Sequence, residues 1–287
     1  MAMQINFNNV SADYQVGPIR SPLILQAVDL SIQSKSFTAV VGHTGAGKSS
    51  LLKVINGLLL PKQGEVYVGT TTISAASSKK ELKEVRQRVG MVFQFPEAQL
   101  FAETVEKDIC FGPLNFGIPL NEAKKIARQV IQQVGLEEEI LHKSPFSLSG
   151  GQKRRVAIAG ILAMKPNILV LDEPGAGLDP NGKREIMHLI KSWHMERGLT
   201  TILVTHDMED VAEYAEQVVI MDKGQVVAHD VPNKIFANLA LLEKYHLSLP
   251  DARKLQIRIE KETGVRLPKI CLTVDDLANG LMMAGLV

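Results

Sequence analysis

The run "FTAVVG" ends at Gly42 and flows into "GHTGAGKSS", residues 42–50, after which an apolar helix begins. No other join in the chain leaves so few ways to fold. A short, wholly apolar run is the mark of a strand buried on both faces of a parallel sheet. The segment after it fits G-x-x-x-x-G-K-[ST], with the strand before and the helix after that this motif requires. Gly42, Gly45 and Gly47, with His43, Thr44 and Ala46 between them, let successive backbone N–H groups wrap a chain of phosphates. Lys48 reaches the outer phosphates, while Ser49, beside Ser50, offers a hydroxyl to Mg²⁺. An ordinary tight strand-to-helix turn is the rival reading, and the flanking elements argue against it. The join predicts a nucleotide site in an α/β chain.

A second segment has a similar look. In "FSLSGGQKRR", which starts at Phe146, Ser149, Gly150 and Gly151 open a helix with a basic first turn, a way to present backbone N–H groups to an anion. A chain with one phosphate loop has no obvious need of another.

The rest of the pattern supports a layered sheet. "QINFNNV" and the end of "LILQAVDLSI" alternate as strands do, and strands are expected at 64–68 and 89–93. A helix over 48–56 stops at Gly57 and Pro61. Asn121 is expected to cap a helix whose Ile126, Val130, Ile131 and Val134 share one face, ending at Gly135. "VAIAGILAM" continues the second glycine segment as a helix. "NILVLDEP" and "TTILVTH" read as buried strands, residues 180–193 and 208–215 as helices, and "QVVIMDKGQVVAHD" as a hairpin turning at Lys223 and Gly224. The alternation implies an α/β layered fold with an all-helical insertion near 95–163. Beyond residue 231 the pattern changes to short helices joined by prolines and glycines. Residues 232–287 are expected to form a small, mainly helical C-terminal domain with a candidate role in dimerisation.

Composition removes several alternatives. With 287 residues and 45% apolar content there is enough chain for one large core and a smaller appendage. A net charge of +1 with scattered basic residues argues against a nucleic-acid binder. Cys110 and Cys271 stand far apart without metal-type spacing, which suits a reducing compartment. The start "MAMQINFNNV" lacks a signal-peptide pattern, and Lys53 and Asn56 interrupt the most apolar helix. The chain reads as cytosolic, so a membrane role has to come through a partner.

Two carboxylates complete the chemistry. Asp172 ends the strand "ILVLD", where it can hold Mg²⁺ through its water shell, and Glu173 can polarise an attacking water. Solvated acids at a strand end are common in isolation and less so beside a phosphate loop. Gln94, after "GMVF", can reach both metal and a neighbour, and His206, after "TILVT", can bond the terminal phosphate. Tyr14 can stack on adenine. Taken singly, Gln94 and His206 are more simply read as a strand-end polar residue and a capping or core histidine.

Together they have a precedent. At "LSGGQ", which is Leu148, Ser149, Gly150, Gly151 and Gln152, the chain resembles the ATP-binding-cassette (ABC) family, for which this pentapeptide is the signature. Tyr14, the 42–50 loop, Gln94, the signature, Asp172 with Glu173, "GLDP" at 177–180, and His206 match the family's aromatic loop, Walker A, Q-loop, signature, Walker B, D-loop and switch histidine, in order. The resemblance covers about residues 3–230. It implies a P-loop NTPase fold over 1–231, ATP and Mg²⁺ as ligands, Glu173 and His206 as catalytic residues, and Ser49, Gln94 and Asp172 around the metal. It also implies a head-to-tail dimer in which each signature caps the ATP on the other subunit's Walker A loop, with Asp179 in the D-loop. That explains the second grip. One departure is Gly175 in "PGAGLDP", where members often carry threonine, which puts local packing there in question.

Residues 93–117, "FQFPEAQLFAETVEKDICFGPLNFG", resemble energy-coupling factor transporter ATPases, and the "FQFPE-x-QLF" form resembles the second ATPase of that system. Ala98 stands where many relatives carry histidine. "GHTG" and the "LPK" of the tail also resemble this group. The implied partners are a second, related ATPase, a transmembrane coupling subunit and an exchangeable substrate-binding membrane subunit, with no nucleic acid. The implied location is the cytoplasmic face of the cell membrane, and the solute a vitamin or other micronutrient. Glu97 is expected as an exposed contact to the membrane partner. Residues 93–117 as plain core and connector, another class of ABC transporter, and a non-transport ABC ATPase stay open. A DNA-repair member would need a long heptad insertion and a translation-type member two cassettes, and a phosphate-loop kinase would not explain "LSGGQ".

Overall fold

The computed structural model describes residues 3–14 and 23–287. Strands β1 (Ile5–Ala12) and β2 (Leu25–Ile32) pair antiparallel, and β3 (Phe37–Val41) follows as a strand buried at every position. Helix α1 (Lys48–Ile55) leaves the phosphate loop. Then come β4 (Gln63–Val68), β5 (Thr71–Ile73), α2 (Lys79–Arg88) and β6 (Val89–Val92). The helical insertion holds α3 (Val105–Asn115), α4 (Leu120–Gln133) and α5 (Gly150–Leu162). The chain returns through β7 (Ile168–Asp172), α6 (Pro180–Arg197), β8 (Thr200–Val204), α7 (Met208–Tyr214) and the hairpin β9 (Gln217–Asp222) and β10 (Gln225–Asp230). Helices α8 (Pro232–Ala237), α9 (Leu239–Lys244), α10 (Asp251–Thr263) and α11 (Val274–Met283) end it.

A four-stranded sheet runs β2-β1-β4-β5, and a six-stranded sheet runs β10-β9-β3-β8-β7-β6 with its β9-to-β6 core parallel. The parallel strands are apolar at successive positions because both faces are covered, and β7 shows how. Ile168 and Val170 point into a core shared with α1 and the smaller sheet, while Leu169 and Leu171 join one shared with the insertion and α6. Cys110 and Cys271 are both buried and free.

Residues just past 231 do not leave this body. Ile235, Phe236 and Leu242 pack on Ala39, Val41, Val218 and Ile220 of the sheet, and Leu247 and Leu249 lie against the same cluster. A separate small cluster begins only with α10, from Ala252, Leu267, Cys271 and Leu277. Buried Gln256 ties it together, donating to Lys269 O at 2.8 Å and accepting from the Cys271 N–H at 2.8 Å.

Local details depart from the sequence reading. Asn121 does not cap α4. The helix starts one residue earlier, and the Pro119 carbonyl accepts from Glu122 and Ala123 N–H, each at 2.9 Å. Helix α6 runs past Trp193 to Arg197 and stops at left-handed Gly198. Strand β5 and helix α2 had no counterpart in the pattern reading. The basic first turn of α5 is also turned to internal use. Arg155 donates to Val134 O at 2.7 Å and pairs with Glu185, while Arg154 is buried.

Arg154 joins three segments. Its guanidinium grips Glu97 in bidentate fashion, at 3.0 and 3.1 Å, and donates to Pro174 O at 3.2 Å and Ala176 O at 2.7 Å. Glu97 is thus not a free exposed contact; its carboxylate balances a buried cation. Glu97→Ala should destabilise the chain by about 2–3 kcal/mol, below the full penalty for a broken buried pair because Glu97 itself is partly solvated. Denaturant unfolding decides it, since a shift near zero would return Glu97 to the surface.

Candidate functional site

The phosphate loop keeps its shape through close backbone approaches. Gly42 has φ 148°, and a Cβ there would lie 2.2 Å from Met221 O. Gly47 has φ 100°, with Ile24 O only 2.9 Å from such a Cβ. Lys48 curls back over the loop, donating to Gly42 O at 2.7 Å and His43 O at 2.9 Å. The His43 ring faces the other way, with Nε2 2.8 Å from Asp222 Oδ1 at the end of β9. His43 therefore serves the loop with its backbone and braces it against the hairpin with its side chain. Ala46 is fully buried beneath the loop.

Thr44, Gly45, Gly47, Lys48, Ser49 and Ser50 line an open cavity of about 660 Å³. Gln94, Asp172, Glu173 and His206 line its other side, with Ile24 and Val204. Ile24 and Val204 were not anticipated: apolar residues beside a motif carry no signal of their own. Gln94 follows β6, Asp172 ends β7 and His206 follows β8, so these groups meet because neighbouring parallel strands finish together.

Glu173 is the centre of the arrangement. Its φ is 49°, a left-handed conformation rare for a residue with a side chain, and its N–H donates to Val204 O at 3.0 Å. The Gln94 amide donates to Glu173 Oε2 at 3.1 Å, and His206 Nδ1 lies 3.1 Å from Glu173 Oε1. Burial pushes the Asp172 carboxyl above its ordinary range, opposed by a hydrogen bond from Ser49 and reinforced by the charge of Glu173. Burial also lowers Lys48, against the attraction of Glu173 and Asp172.

The oxygen donors suit Mg²⁺: the Ser49 hydroxyl, the Asp172 carboxylate and the Gln94 amide oxygen, which its hydrogen bond to Glu173 leaves unused. Among the described residues no group of three or more His, Cys, Asp or Glu side chains could hold a metal.

Other sequence candidates lie further out. Tyr14 is exposed at the rim, its hydroxyl 3.3 Å from Ser50 Oγ and its ring 5.0 Å from Lys53 Nζ. Leu148, Ser149, Gly150, Gly151 and Gln152 line no cavity with Lys48. Ser149 caps α5 in a reciprocal pair with Gln152. Asp179 caps α6, and the N–H groups of Gly182 and Asn181 hold its carboxyl below the ordinary range. Gly175 makes room for Lys183, whose Cγ would lie 2.7 Å from a Cβ there. The Lys183 ammonium bridges Asp207 and Asp210, tying α6 to the loop that carries His206.

Comparison with known proteins places the chain in a family. The ABC transporter family profile matches residues 25–176. The energy-coupling factor transporter ATP-binding protein EcfA2 of Geobacillus kaustophilus is 52% identical over 97% of this chain and 96% of its own length. The protein of that name in Listeria monocytogenes is 52% identical over 96% of each. Among solved structures, cbiO1 of Clostridium perfringens, described as part of the ABC transporter complex cbiONQ, is similar with a TM-score of 0.73 at 33% identity. It covers 92% of this chain and 100% of its own. The cassette MJ0796, solved as a dimer in a post-hydrolysis state with ADP and Pi, is similar at TM-score 0.70 and 31% identity, over 79% of this chain and 98% of its own.

The buried acid gives a signed expectation. A carboxyl with a raised folded pKa favours the fold at low pH, and that contribution is lost as pH rises through the folded value. Asp172→Asn should therefore raise the melting temperature of the nucleotide-free chain at neutral pH, with the gain vanishing in acid. It should also weaken Mg²⁺-dependent nucleotide binding by about tenfold or more. Thermal melts across pH, beside nucleotide titrations with and without Mg²⁺, test both signs.

Proposed function

The chain belongs to the ABC transporter family as an ATP-binding and ATP-hydrolysing subunit of the energy-coupling factor type, and on that premise we propose how its residues divide the work. The observation that carries the proposal is the Glu173 carboxylate, held between Gln94 and His206 at the mouth of the phosphate loop. Loop N–H groups and Lys48 hold the phosphates, and Tyr14 offers a ring for adenine. Glu173 takes a proton from water as the new oxygen–phosphorus bond forms and the bond to the β–γ bridging oxygen breaks, with ADP leaving. His206, anchored through Nδ1 on Glu173, turns its other ring nitrogen toward the γ-phosphate. Mg²⁺ held by Ser49, Asp172 and Gln94 supplies neutralisation of phosphate charge.

The signature serves a second subunit. A Cβ at Gly150 or Gly151 would meet nothing within 4 Å, so no contact among the described residues calls for glycine there. Two glycines in a first helical turn cost roughly 1 kcal/mol each against alanine. An approaching phosphate from another subunit gives them a purpose: bare N–H groups at a positive helix end. The second subunit in this reading is a related ATPase, with Asp179 at the contact between the two.

Membrane partners complete the assembly. No helix among the described residues is long and apolar enough to cross a membrane. The insertion exposes Phe95, Phe101, Phe111 and Phe146, with Phe101 and Phe111 stacked edge to face at 4.9 Å. This surface supports docking of a transmembrane coupling subunit, itself joined to an exchangeable subunit that binds a vitamin or other micronutrient. The chain then sits peripherally on the cytoplasmic face of the membrane.

Glu173→Gln should keep ATP binding and slow hydrolysis by about 10²–10⁴, whereas Lys48→Ala should weaken binding itself. Turnover and nucleotide affinity measured on the assembled transporter separate the two, and near-normal turnover in Glu173→Gln would remove the base. Gly151→Ala should leave the isolated chain as stable or more so, yet impair turnover once the ATPases are paired. Loss of stability in the single chain would assign that glycine to internal packing instead.

A further inference from the structure

A second cavity, of about 220 Å³, opens beside the first and shares Thr44, Lys48, Glu173 and His206 with it. Its far wall comes from the C-terminal segment: His246, Leu247 and Ser248. We propose that this wall makes a station for inorganic phosphate next to the terminal-phosphate position, a proposal that rests on the hydrolytic reading above.

Three observations carry it. The wall is fixed in place. Leu247 and Leu249 pack into the cluster that contains Met208 of α7, and Leu247 N–H donates to Leu242 O at 2.9 Å. Glu209, one residue beyond Met208, accepts the Asp251 N–H at 2.7 Å, so the start of α10 is tied to the segment that follows His206. Next, the turn that stops α9 sets where His246 leaves the backbone: it takes φ 52°, the left-handed position usual just past a helix end, and its N–H donates to Glu243 O at 3.2 Å. Finally, the lining is matched to phosphate. Lys48, His246 and Ser248 bring hydrogen-bond donors, and Glu173 brings an acceptor. His43 also lines the cavity, but Asp222 and Thr44 O already occupy its ring nitrogens. Phosphate at neutral pH still carries a P–OH that a carboxylate can accept, whereas sulfate has none.

The station would give the C-terminal part of the chain a direct hold on product. Phosphate cut from ATP would move past His206 to His246 and Ser248, and its departure would depend on how that segment sits.

The probe is orthophosphate titrated into the full-length chain loaded with ADP and Mg²⁺, followed by phosphorus NMR, with sulfate in a parallel series. Saturable phosphate binding, stronger than that of sulfate, is expected. His246→Gly should weaken it about tenfold, the loss of one hydrogen bond to an ion, and Ser248→Ala should weaken it severalfold. Because the left-handed position after a helix end is one that glycine fills readily, His246→Gly should melt no lower than wild type and bind ADP equally well. Phosphate binding unchanged in His246→Gly, or sulfate equal to phosphate, would overturn the station. Loss of ADP affinity in His246→Gly would overturn it as well, by making His246 part of the nucleotide pocket. Failure of the wild-type chain to bind ADP would instead strike the ATPase reading, and with it this one.

Discussion

Val92 pairs with Leu171, Asp172 with Val204, and Val40 with Val204, all in parallel register. Those pairings bring the carboxyl ends of β6, β7, β8 and β3 to one edge, and everything reactive hangs from that edge. Gln94, Asp172, Glu173, His206 and the phosphate loop are consecutive continuations of strands whose own residues are almost all buried apolar groups. A slip of one residue in any strand would exchange the two core faces of that strand. It would also carry one of these side chains out of reach of the others. Because burial on both faces punishes any slip, the cores specify the chemistry by specifying the register.

The edge itself is poorly suited to being empty. Asp172 and Lys48 are drawn out of water and pushed away from their charged forms by burial, and Glu173 sits in a strained left-handed conformation. The hydrogen bond from Gln94 and the contact with His206 hold Glu173 where relaxation would let it go. Such features weaken a fold taken alone and sharpen a site, a trade seen wherever groups must be ready before the ligand arrives. A polyphosphate beside Lys48 and a divalent cation beside Asp172 would favour the charged form of each.

Where each residue's role follows from its neighbours in sequence, reading the chain was enough. The buried strands, the phosphate loop, the acidic pair after "ILVL" and the hairpin turn all announce themselves within about ten residues. Helix α2 does not, because only Val85 is buried and no apolar stripe exists; the capping box of Ser78 and Glu81 was its one local signal. Strand β5 is three residues long, too short for alternation to show. The Glu97–Arg154 pair spans 57 positions and the His43–Asp222 pair 179, and neither partner names the other in sequence. Glu97 looked exposed for the same reason that Arg154 looked available to an anion. Each was judged without the other.

The two glycine segments differ in what holds them. At Gly42 and Gly47 the chain's own backbone crowds the space where a side chain would go, so folding alone demands glycine. At Gly150 and Gly151 the space is open, and folding alone would favour alanine. The first segment is therefore complete as it stands, a cradle closed by Lys48. The second is a helix end set by the Ser149 cap, where a Cβ at either glycine would meet no atom of the described residues within 4 Å. Arg154, buried on α5, ties that helix to Glu97 and to the carbonyls of Pro174 and Ala176 just past β7. Leu148, Val156 and Leu162 share one apolar core with Val92 and Leu171, so packing and one buried cation together hold the second segment against the strand ends that carry the first.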